Sequence, residues 1–554
     1  MDFLSSVAVL ERDRRRRERL VVVATLVASV AAGLLAGAIA VLGKPLVLAG
    51  IFALLFPVLA WRRPRSAVLC LIFLALAVEQ DPIGAPGGDL TQQLRLFTSL
   101  NTAIGLSNVY VNPFEILLGM LGVVILIRAG ERRARWPRTA LSSGLLALLA
   151  FVLLGTVHGL AVGGDYRMAI WEIRPTVYLF LSYLFVVQLP AELSTLTMLL
   201  WTFVIAVGLR AIEGIWLVVT VMLIHGQRPD SLLTHEDSLF FVLYVILVGS
   251  LWIFGQRGRL RSLATALLPL VLIVALANNR RTAWLQLGIC GLLMLVLVWV
   301  RLPRLRPRLT AALVVMAVAG GLYLRLYWNQ TGLLAEPASA VRSLFAPDPR
   351  DASSDLYRVI ENANLELNIR MSPLIGRGYG VPIDYRIPIV DLSRIDPFIH
   401  YIPHNDVLYV WMRLGIVGAL VFWSVIGFAV VGACRLIRAR HPGLVLYGLL
   451  VACAIAAYLI QGALDLGFFW FRVAVLMGAL FGALELARQA AAGEEAERSP
   501  PAPARALAGP GRPHGYGPER PTRGSAVDLS PVAGRPSAAR TMTRSSPADS
   551  RRQS

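Results

Sequence analysis

A short polar segment holds the side chains of this sequence that are best suited to chemistry. The segment 400–406 contains His400 and His404 and runs directly into a strongly apolar stretch. A histidine at such a boundary can act as a general base towards a hydroxyl group. Pro403 is also typical of a helix start, where Asn405 or the residue after it would cap the first backbone amides. We therefore take His404 as the candidate catalytic residue, with a simple helix cap as the alternative, and interpret His400 as an interfacial histidine.

Four arginines form the second group of candidates. Arg174 opens an apolar segment, Arg280 and Arg281 lie in a polar turn between two apolar runs, and Arg358 lies in a long hydrophilic stretch. The planar guanidinium group binds phosphate through paired, charge-assisted hydrogen bonds and keeps its charge at any relevant pH. With a histidine nearby, these residues predict transfer from a lipid-linked phosphate or pyrophosphate, in which arginines neutralise the leaving group and no metal is obligatory.

Some of these arginines also have a simpler structural interpretation. Arg174 could lie at the membrane interface, with its stem along lipid and its head in water. Arg358 could lie on a solvated helix face, paired with Glu361. The sequence leaves the roles of Arg370 and Arg377, also in the hydrophilic stretch, undetermined.

The composition indicates a membrane protein. The chain has 554 residues, of which 56% are apolar and only 16% charged, whereas a soluble domain carries roughly 25% charged residues. The net charge of +19 resides largely in short arginine runs between apolar segments. Such runs are typical of cytoplasmic loops that contact anionic lipids, so we expect no nucleic-acid partner. The four cysteines contain no CxxC pair and predict neither a metal site nor a disulfide framework.

The apolar segments predict an all-α polytopic membrane protein with about 12–14 transmembrane helices. A spanning helix needs about 20 apolar residues, because it must satisfy its own backbone hydrogen bonds. Two segments, 66–80 and 262–277, are short for a full crossing. The predicted spans are 20–42, 44–61, 66–80, 112–128, 140–162, 168–189, 194–224, 238–255, 262–277, 283–301, 309–327, 405–433, 443–463 and 467–487.

The basic clusters predict the orientation of these spans. If the cluster Arg12–Arg19 is cytoplasmic, alternation of the spans places five later clusters on the same side, as the positive-inside rule requires. These clusters are Arg62–Arg65, Arg128–Arg138, Arg257–Arg261, Arg301–Arg308 and Arg435–Arg440. The segment 400–406 and the four candidate arginines then face the other side. The predicted organisation is a basic cytoplasmic N-terminus (1–19), transmembrane helices (20–327), one large extracytoplasmic loop (328–404), further transmembrane helices (405–488) and a disordered cytoplasmic tail (489–554).

The predicted loop 328–404 is too long for a simple connection and is expected to be a folded functional element. Its stretch 354–370 has the apolar spacing of a helix. The glycines of the following segment, Ser372–Gly380, alternate with other residues, which predicts unusual backbone conformations and a close approach to a ligand.

Three stretches together resemble the O-antigen ligase/O-antigen polymerase-like family of bacterial polysaccharide assembly. The long loop ends in His404-Asn405-Asp406-x-Leu408, followed by Leu414-Gly415-Ile416-Val417-Gly418. The turn Arg281-Thr282-Ala283-Trp284-Leu285 is similar to the family's Ser-Arg-x-x-x-Leu element, and Pro373-Leu374-Ile375-Gly376-Arg377-Gly378 to its Pro-Leu-x-Gly-x-Gly pattern. The resemblance is strongest from about 270 to 430.

The resemblance implies a glycosyltransferase with a GT-C-like fold in the bacterial inner membrane, active on the extracytoplasmic face without a cofactor. The donor would be an undecaprenyl-pyrophosphate-linked glycan, and the acceptor a glycan, a lipid or a protein side chain. Arg174 and Arg281 would bind the pyrophosphate, Arg358 would help to position the donor or acceptor, and His404 would activate the acceptor hydroxyl. We add Arg280 and Asn405 as candidate substrate-binding residues of this chain. The chain departs from the family at Arg413, where a glutamate is common, and at Arg280, where a serine is common. Both changes are expected to add positive charge near the site.

Two other classes of function are alternatives for this sequence. A flippase or exporter of lipid-linked oligosaccharide would use the same ligand without catalysis, but transporters place their polar residues near the membrane midplane. The few acidic residues noted within spans, Glu213 and Asp465, offer little for a proton-coupled relay. A scaffolding protein that recruits partners through its tail is the third class, and the tail has few features to support it.

Overall fold

The computed structural model of the protein describes residues 55–80, 90–101, 110–130, 136–226, 231–254, 256, 258–330, 332–391 and 398–498. Within these ranges every regular element is a helix. The helices are α1 (Pro64–Ala77), α2 (Pro113–Gly130), α3 (Ala140–Ala161), α4 (Tyr166–Val187), α5 (Leu193–Leu217, extended by a π-helical stretch Val218–Ile224), α6 (His235–Ile253), α7 (Arg259–Ala277), α8 (Arg281–Arg301), α9 (Arg306–Tyr327), α10 (Glu336–Ser343), α11 (Pro349–Met371), α12 (Asp406–Ile437), α13 (Pro442–Leu464) and α14 (Phe471–Arg498). Three short 3-10 turns, Gln92–Leu94, Pro303–Leu305 and Leu333–Ala335, complete the order.

The predicted all-α polytopic class is confirmed. Among the described residues, ten helical segments are long and apolar enough to cross a membrane. The doubtful segment 262–277 belongs to α7, which has 19 residues and is one of the ten, whereas the segment 66–80 forms the 14-residue α1. The predicted N-terminus 1–19, the span 20–42 and most of the span 44–61 lie outside the described residues.

The C-terminal helix continues further than the apolar pattern indicates. α14 ends at Arg498, past residue 489, where the change of composition predicts the start of the tail. Alanine and glutamate, which dominate this stretch, are strong helix formers even where little apolar surface is buried. The rest of the predicted tail lies outside the described residues.

Small residues let the helices pack closely. A Cβ added at Gly478 of α14 would lie 2.1 Å from the carbonyl oxygen of Leu179 in α4, and one at Gly482 would lie 2.7 Å from Cβ of Val186. This Gly-x-x-x-Gly pair brings the two backbones together, which is the usual means of association where lipid removes the hydrophobic driving force. α4 is thereby fixed against α14, and both helices begin at the end of the bundle that holds the candidate residues.

A break in α12 connects the long loop to the bundle. Gly415 adopts φ +68°, which interrupts the helix, and a Cβ there would lie 2.1 Å from the carbonyl oxygen of Leu374. The loop supplies the hydrogen bonds that the break removes. The amides of Arg377 and Gly378 donate to the carbonyls of Met412 and Arg413, at 2.7 and 3.1 Å. Irregular backbone is thus satisfied by protein rather than left facing lipid.

The predicted glycine turn is confirmed, although its backbone approaches protein. Gly376, Gly378 and Gly380 have φ values of +82°, +78° and +81°. A Cβ at Gly378 would lie 2.4 Å from the backbone nitrogen of Gly159 in α3, and one at Gly380 would lie 2.4 Å from the carbonyl oxygen of Asp165. The close approach is therefore to the helix ends around it, and it anchors the long loop.

Candidate functional site

A histidine and a buried glutamate form the centre of the candidate site. The predicted loop helix is confirmed as α11. Its Glu361 is fully buried and lies beside the residues that directly precede α12. The backbone N–H of His404 donates to Glu361 Oε2 at 2.9 Å, and His404 Nδ1 lies 3.2 Å from the same oxygen. Because Nδ1 faces the carboxylate, Nε2 is the ring atom left for another partner. Tyr357 packs edge-on against the imidazole, with ring centroids 5.7 Å apart.

Glu361 also changes the acidity of the imidazole. Burial is the largest influence and lowers the pKa of His404, but the hydrogen bond and the charge of Glu361 oppose it, and the net effect is a pKa above the usual value of 6.5. The charge of Asp465 acts in the same direction and that of Arg358 against it. The arrangement favours an imidazole that accepts a proton readily.

Two of the predicted arginines lie close together beside this pair. Arg281 Nη1 lies 3.5 Å from Asp351 Oδ2, and its Nη2 lies 3.3 Å from Asp355 Oδ1, both carboxylates belonging to α11. Arg358 Nη1 lies 3.8 Å from the same Asp355 oxygen. The expected pairing of Arg358 with Glu361 is not seen among the described residues: the carboxylate recorded beside Arg358 is Asp355, whereas Glu361 is buried and contacts His404. Shared contact with Asp355 therefore joins the start of α8 to the loop helix.

Arg280 precedes α8 in a tight turn. Asn279 adopts φ +49°, a left-handed conformation that asparagine tolerates better than most residues. Arg280 then occupies the N-cap position of α8 with extended backbone, and its side chain makes no capping hydrogen bond. Its charge acts on both His235 and Asp465, so it lies on the side of the site that faces α6 and α13.

A second histidine–carboxylate pair lies next to the first. His235, the first residue of α6, places Nδ1 against Asp465 Oδ2, directly after α13. The next residue, Leu466, donates its amide to the carbonyl of His404 at 3.3 Å. Burial raises the pKa of Asp465, but the charge and hydrogen bond of His235 and the charges of Arg280 and Arg358 together outweigh burial and lower that pKa to about 2. From the sequence, Asp465 stood out only as an acidic residue within a span, and His235 was missed.

Asn405 has the predicted capping geometry. Its side-chain oxygen accepts hydrogen bonds from the amides of Val407 and Leu408, both at 3.1 Å. The following Asp406 is fully buried and accepts from the amide of Phe468 at 2.6 Å. The helix-cap interpretation is confirmed and describes how His404 is held. The predicted substrate contact of Asn405 remains a prediction.

Arg174 has partners of its own, away from those of the other arginines. Its Nε lies 2.8 Å from Glu115 Oε1, and its side chain is 4% exposed. The guanidinium carbon lies 4.6 Å from the ring centroid of Trp171, and Nη2 donates to the carbonyl of Tyr110. The interfacial alternative is wrong, because the side chain is buried. Its predicted contact with pyrophosphate remains a prediction.

Arg413 adds no unbalanced charge to the site, contrary to expectation. It is fully buried and pairs with Glu172, which is also fully buried. It also donates to the carbonyls of Gly378 and Tyr401, at 3.1 and 2.8 Å. Glu172, which lies two residues before Arg174 in sequence, thus neutralises the charge of Arg413, where the chain departs from the family pattern. The Arg413–Glu172 pair links α4, the glycine turn and α12.

Near the second histidine lies an ionic cluster that the sequence patterns did not predict. Arg472 Nη2 lies 2.7 Å from Asp237 Oδ1, and Arg210 Nη2 lies 2.7 Å from Asp237 Oδ2. Glu79 and Glu236 lie within 3.4 Å of Arg472. Arg210 and Arg472 are charged residues within apolar segments, and this signal alone could have identified them as candidates. Each has carboxylate partners, and together they fix the starts of α6 and α14.

The site therefore combines a carboxylate-oriented histidine with guanidinium groups. The first can take a proton from a hydroxyl, and the second can hold a phosphate or pyrophosphate leaving group. All of these groups lie at one end of the helix bundle, since they occupy the starts of α6, α8 and α12 and the end of α13. A substrate at this end would meet both kinds of group at once.

Comparison with known proteins identifies relatives of this chain. Residues 265–423, which include Arg280, Arg281, Arg358 and His404, match the family model described as O-antigen ligase. A stretch of 288 residues is 24% identical to the O-antigen ligase of Salmonella typhimurium, and it covers 49% of this chain and 65% of that relative. The match thus spans less than two thirds of the relative's length. The resemblance inferred from the sequence is confirmed, and residues 265–423 relate this chain to the O-antigen ligase family.

Proposed function

We propose that this protein is a membrane glycosyltransferase of the ligase or polymerase type. It transfers a glycan from an undecaprenyl-pyrophosphate donor to a hydroxyl group of a glycan or lipid acceptor. The observation that carries the proposal is the His404–Glu361 pair beside Arg281 and Arg358, at one end of a bundle of apolar helices. The relationship to O-antigen ligases supports the same class of donor and acceptor.

His404 is the general base of this reaction. Its Nδ1 faces Glu361, so Nε2 takes the proton of the acceptor hydroxyl as the acceptor oxygen attacks the anomeric carbon of the donor sugar. The bond between that carbon and the phosphate oxygen breaks, and the lipid pyrophosphate leaves. The carboxylate of Glu361 stabilises the imidazolium that forms, without taking the proton itself.

Arg280, Arg281 and Arg358 hold the pyrophosphate. Before the donor binds, Asp351 and Asp355 pair with Arg281, and Asp355 also approaches Arg358, which restrains side chains that are otherwise flexible. These two carboxylates are partly exposed, at 24% and 49% of their side-chain surface, so their attraction for the arginines is screened by water. A pyrophosphate with several negative oxygens competes favourably for the same guanidinium groups.

The reaction takes place on the extracytoplasmic face of the inner membrane. The basic clusters predict that the site and the loop 328–404 face away from the cytoplasm. The close backbone contacts of Gly378 with α3 and of Leu374 with Gly415 of α12 support a folded element fixed to the bundle rather than a free connection.

Transfer by the purified full-length protein in detergent tests this proposal. With a lipid-pyrophosphate glycan and an acceptor, His404→Gln and Arg281→Gln should each lower kcat/KM by roughly 100- to 10,000-fold. Arg370→Gln is the matched control, because Arg370 is 75% exposed and pairs only loosely with Glu366 on the loop helix, at 3.8 Å. Wild-type rates in His404→Gln would refute the assigned base.

The detergent assay also separates an enzyme from an exporter. Detergent leaves no sealed compartment, so a flippase or exporter cannot display transport and would leave the glycan on its lipid. Binding of the lipid-linked glycan without any transfer by the wild-type protein would favour the exporter.

A further inference from the structure

The second histidine–carboxylate pair, His235 and Asp465, has no role in the proposed reaction. It is connected to the first pair through the turn after α13. Leu466 in that turn adopts φ +51°, which is rare for a bulky residue, while its amide donates to the carbonyl of His404. Strained backbone of this kind persists where the surrounding structure determines it, and such positions cluster at functional sites.

A tryptophan completes this second group. The indole of Trp470 stacks on the imidazole of His235, with ring centroids 5.9 Å apart and planes inclined by 22°. Its Nε1–H is buried and meets no acceptor among the described residues. A buried indole N–H usually finds a hydrogen-bond partner, so this one is suited to an acceptor that arrives with a ligand. Two residues later, Arg472 anchors the segment in the ionic cluster.

The chemistry of the two side chains points to a hydroxyl group. When neutral His235 donates from Nδ1 to Asp465, its Nε2 is an acceptor, whereas Trp470 Nε1 is only a donor. A sugar hydroxyl both donates and accepts and can satisfy the two together. A phosphate oxygen at neutral pH only accepts. His235 retains 27% side-chain exposure, so a ligand can reach it.

We propose that His235 and Trp470 form a saccharide-binding subsite beside His404, which holds a hydroxyl of one of the two glycan substrates. Asp465 is a positioning residue that fixes the tautomer and orientation of His235. This inference rests on the proposed function, because it assigns part of the substrate of the same site. The subsite contributes to binding and orientation, and His404 remains the base.

Kinetics of Trp470→Phe in the full-length detergent-solubilised protein test the subsite. Phenylalanine keeps an aromatic ring against His235 and removes the N–H. We expect KM for one glycan substrate, donor or acceptor, to rise about 5- to 15-fold, with kcat changed less than about threefold and the pH profile unchanged. Trp423→Phe is the matched control, since Trp423 lies 41% exposed on the apolar surface of α12. Unchanged KM values for both substrates in Trp470→Phe would overturn the subsite.

An inhibition experiment distinguishes a sugar hydroxyl from a phosphate oxygen as the ligand of Trp470. Undecaprenyl pyrophosphate without sugar is used as a competitive inhibitor, and we expect Trp470→Phe to leave its inhibition constant unchanged. An increase equal to the increase in donor KM would assign the contact to a phosphate oxygen and overturn the saccharide assignment.

A binding experiment separates failure of the subsite from failure of the proposed function. If the wild-type protein transfers no glycan, the proposed function fails. Calorimetric binding of the lipid-linked glycan and of the free acceptor to wild-type and Trp470→Phe protein then decides the subsite independently. Weaker binding of one ligand by Trp470→Phe would support the subsite, and equal affinities for both ligands would refute it.

Discussion

Replacement of Glu361 by glutamine gives the sharpest test of the proposed mechanism. The substitution removes one negative charge from a fully buried position and keeps the size and shape of the side chain. Glutamine can still accept a hydrogen bond from His404, but it no longer stabilises an imidazolium. A hydrogen bond to a charged group contributes roughly 1.5–3 kcal/mol. Since about 1.4 kcal/mol corresponds to a factor of ten, we expect kcat to fall roughly 10- to 150-fold.

The pH dependence of the rate gives an independent test, because the proposed role of Glu361 predicts the direction in which the profile shifts. The base must be unprotonated, so the rate rises with pH through the pKa of His404, which Glu361 holds above 6.5. In Glu361→Gln the effects of burial and of Arg358, which lower that pKa, remain, and the charge of Asp465 still opposes them. The acidic limb of the profile should therefore move to lower pH while the plateau rate falls. A purely structural role for Glu361 would lower the rate without moving the limb.

The assay is glycan transfer by purified protein from about pH 5 to pH 9, with kcat measured at saturating substrate for the plateau and kcat/KM for the acidic limb, because kcat/KM reports the pKa of the free enzyme. Glu366→Gln is the matched control, because Glu366 lies on the same helix with 59% of its side chain exposed. It should retain the wild-type rate and profile. The reasoning is refuted if Glu361→Gln shows the wild-type plateau, or if its acidic limb stays in place.

Two substitutions test the elements that hold the site. Arg413→Met leaves Glu172 as a buried charge without its guanidinium partner, which should destabilise the fold by about 3–5 kcal/mol. Adding Glu172→Gln should restore part of the lost stability, as measured by thermal unfolding in detergent. Gly415→Ala forces a side chain into the break at φ +68° and against neighbouring backbone, so we expect a lower unfolding temperature. Gly427→Ala is the control, because Gly427 lies in the same helix with open space around it. This control should be neutral or stabilising by about 0.5–1 kcal/mol. A Gly415→Ala protein as stable as Gly427→Ala would contradict the proposed anchoring of the loop.

Much of the helix cap and the glycine turn could be predicted from the sequence. The cap at Asn405 uses amides two and three residues ahead, and the left-handed φ of Gly376, Gly378 and Gly380 needs only the absence of a side chain. Such features depend on neighbours in sequence, so local patterns reveal them. The same patterns could not indicate that the glycine turn approaches α3 and α12 instead of a ligand, because that depends on how the helices pack.

The partners of the charged residues were harder to predict from the sequence than the helix cap and the glycine turn. Arg174 and Arg413 both looked like sources of positive charge for a phosphate, but each arginine side chain is itself buried and pairs with a carboxylate, Glu115 or Glu172. A guanidinium group in a sequence carries a full charge, and only its surroundings tell whether that charge is available. Arg281 has carboxylate partners as well, but its own side chain is 32% exposed.

Local sequence patterns were enough to predict the all-helical, membrane-spanning class and two residue types of the candidate site, histidine and arginine. Long apolar runs allow only helices in lipid, and the costliest residues in such runs stand out at once. Which of these groups meet depends on how the helices pack. His404 and Glu361 are separated by 43 residues, and His235 and Asp465 by 230. Contacts over such separations arise from helix packing, which no local pattern records, and they turn single histidines into oriented pairs.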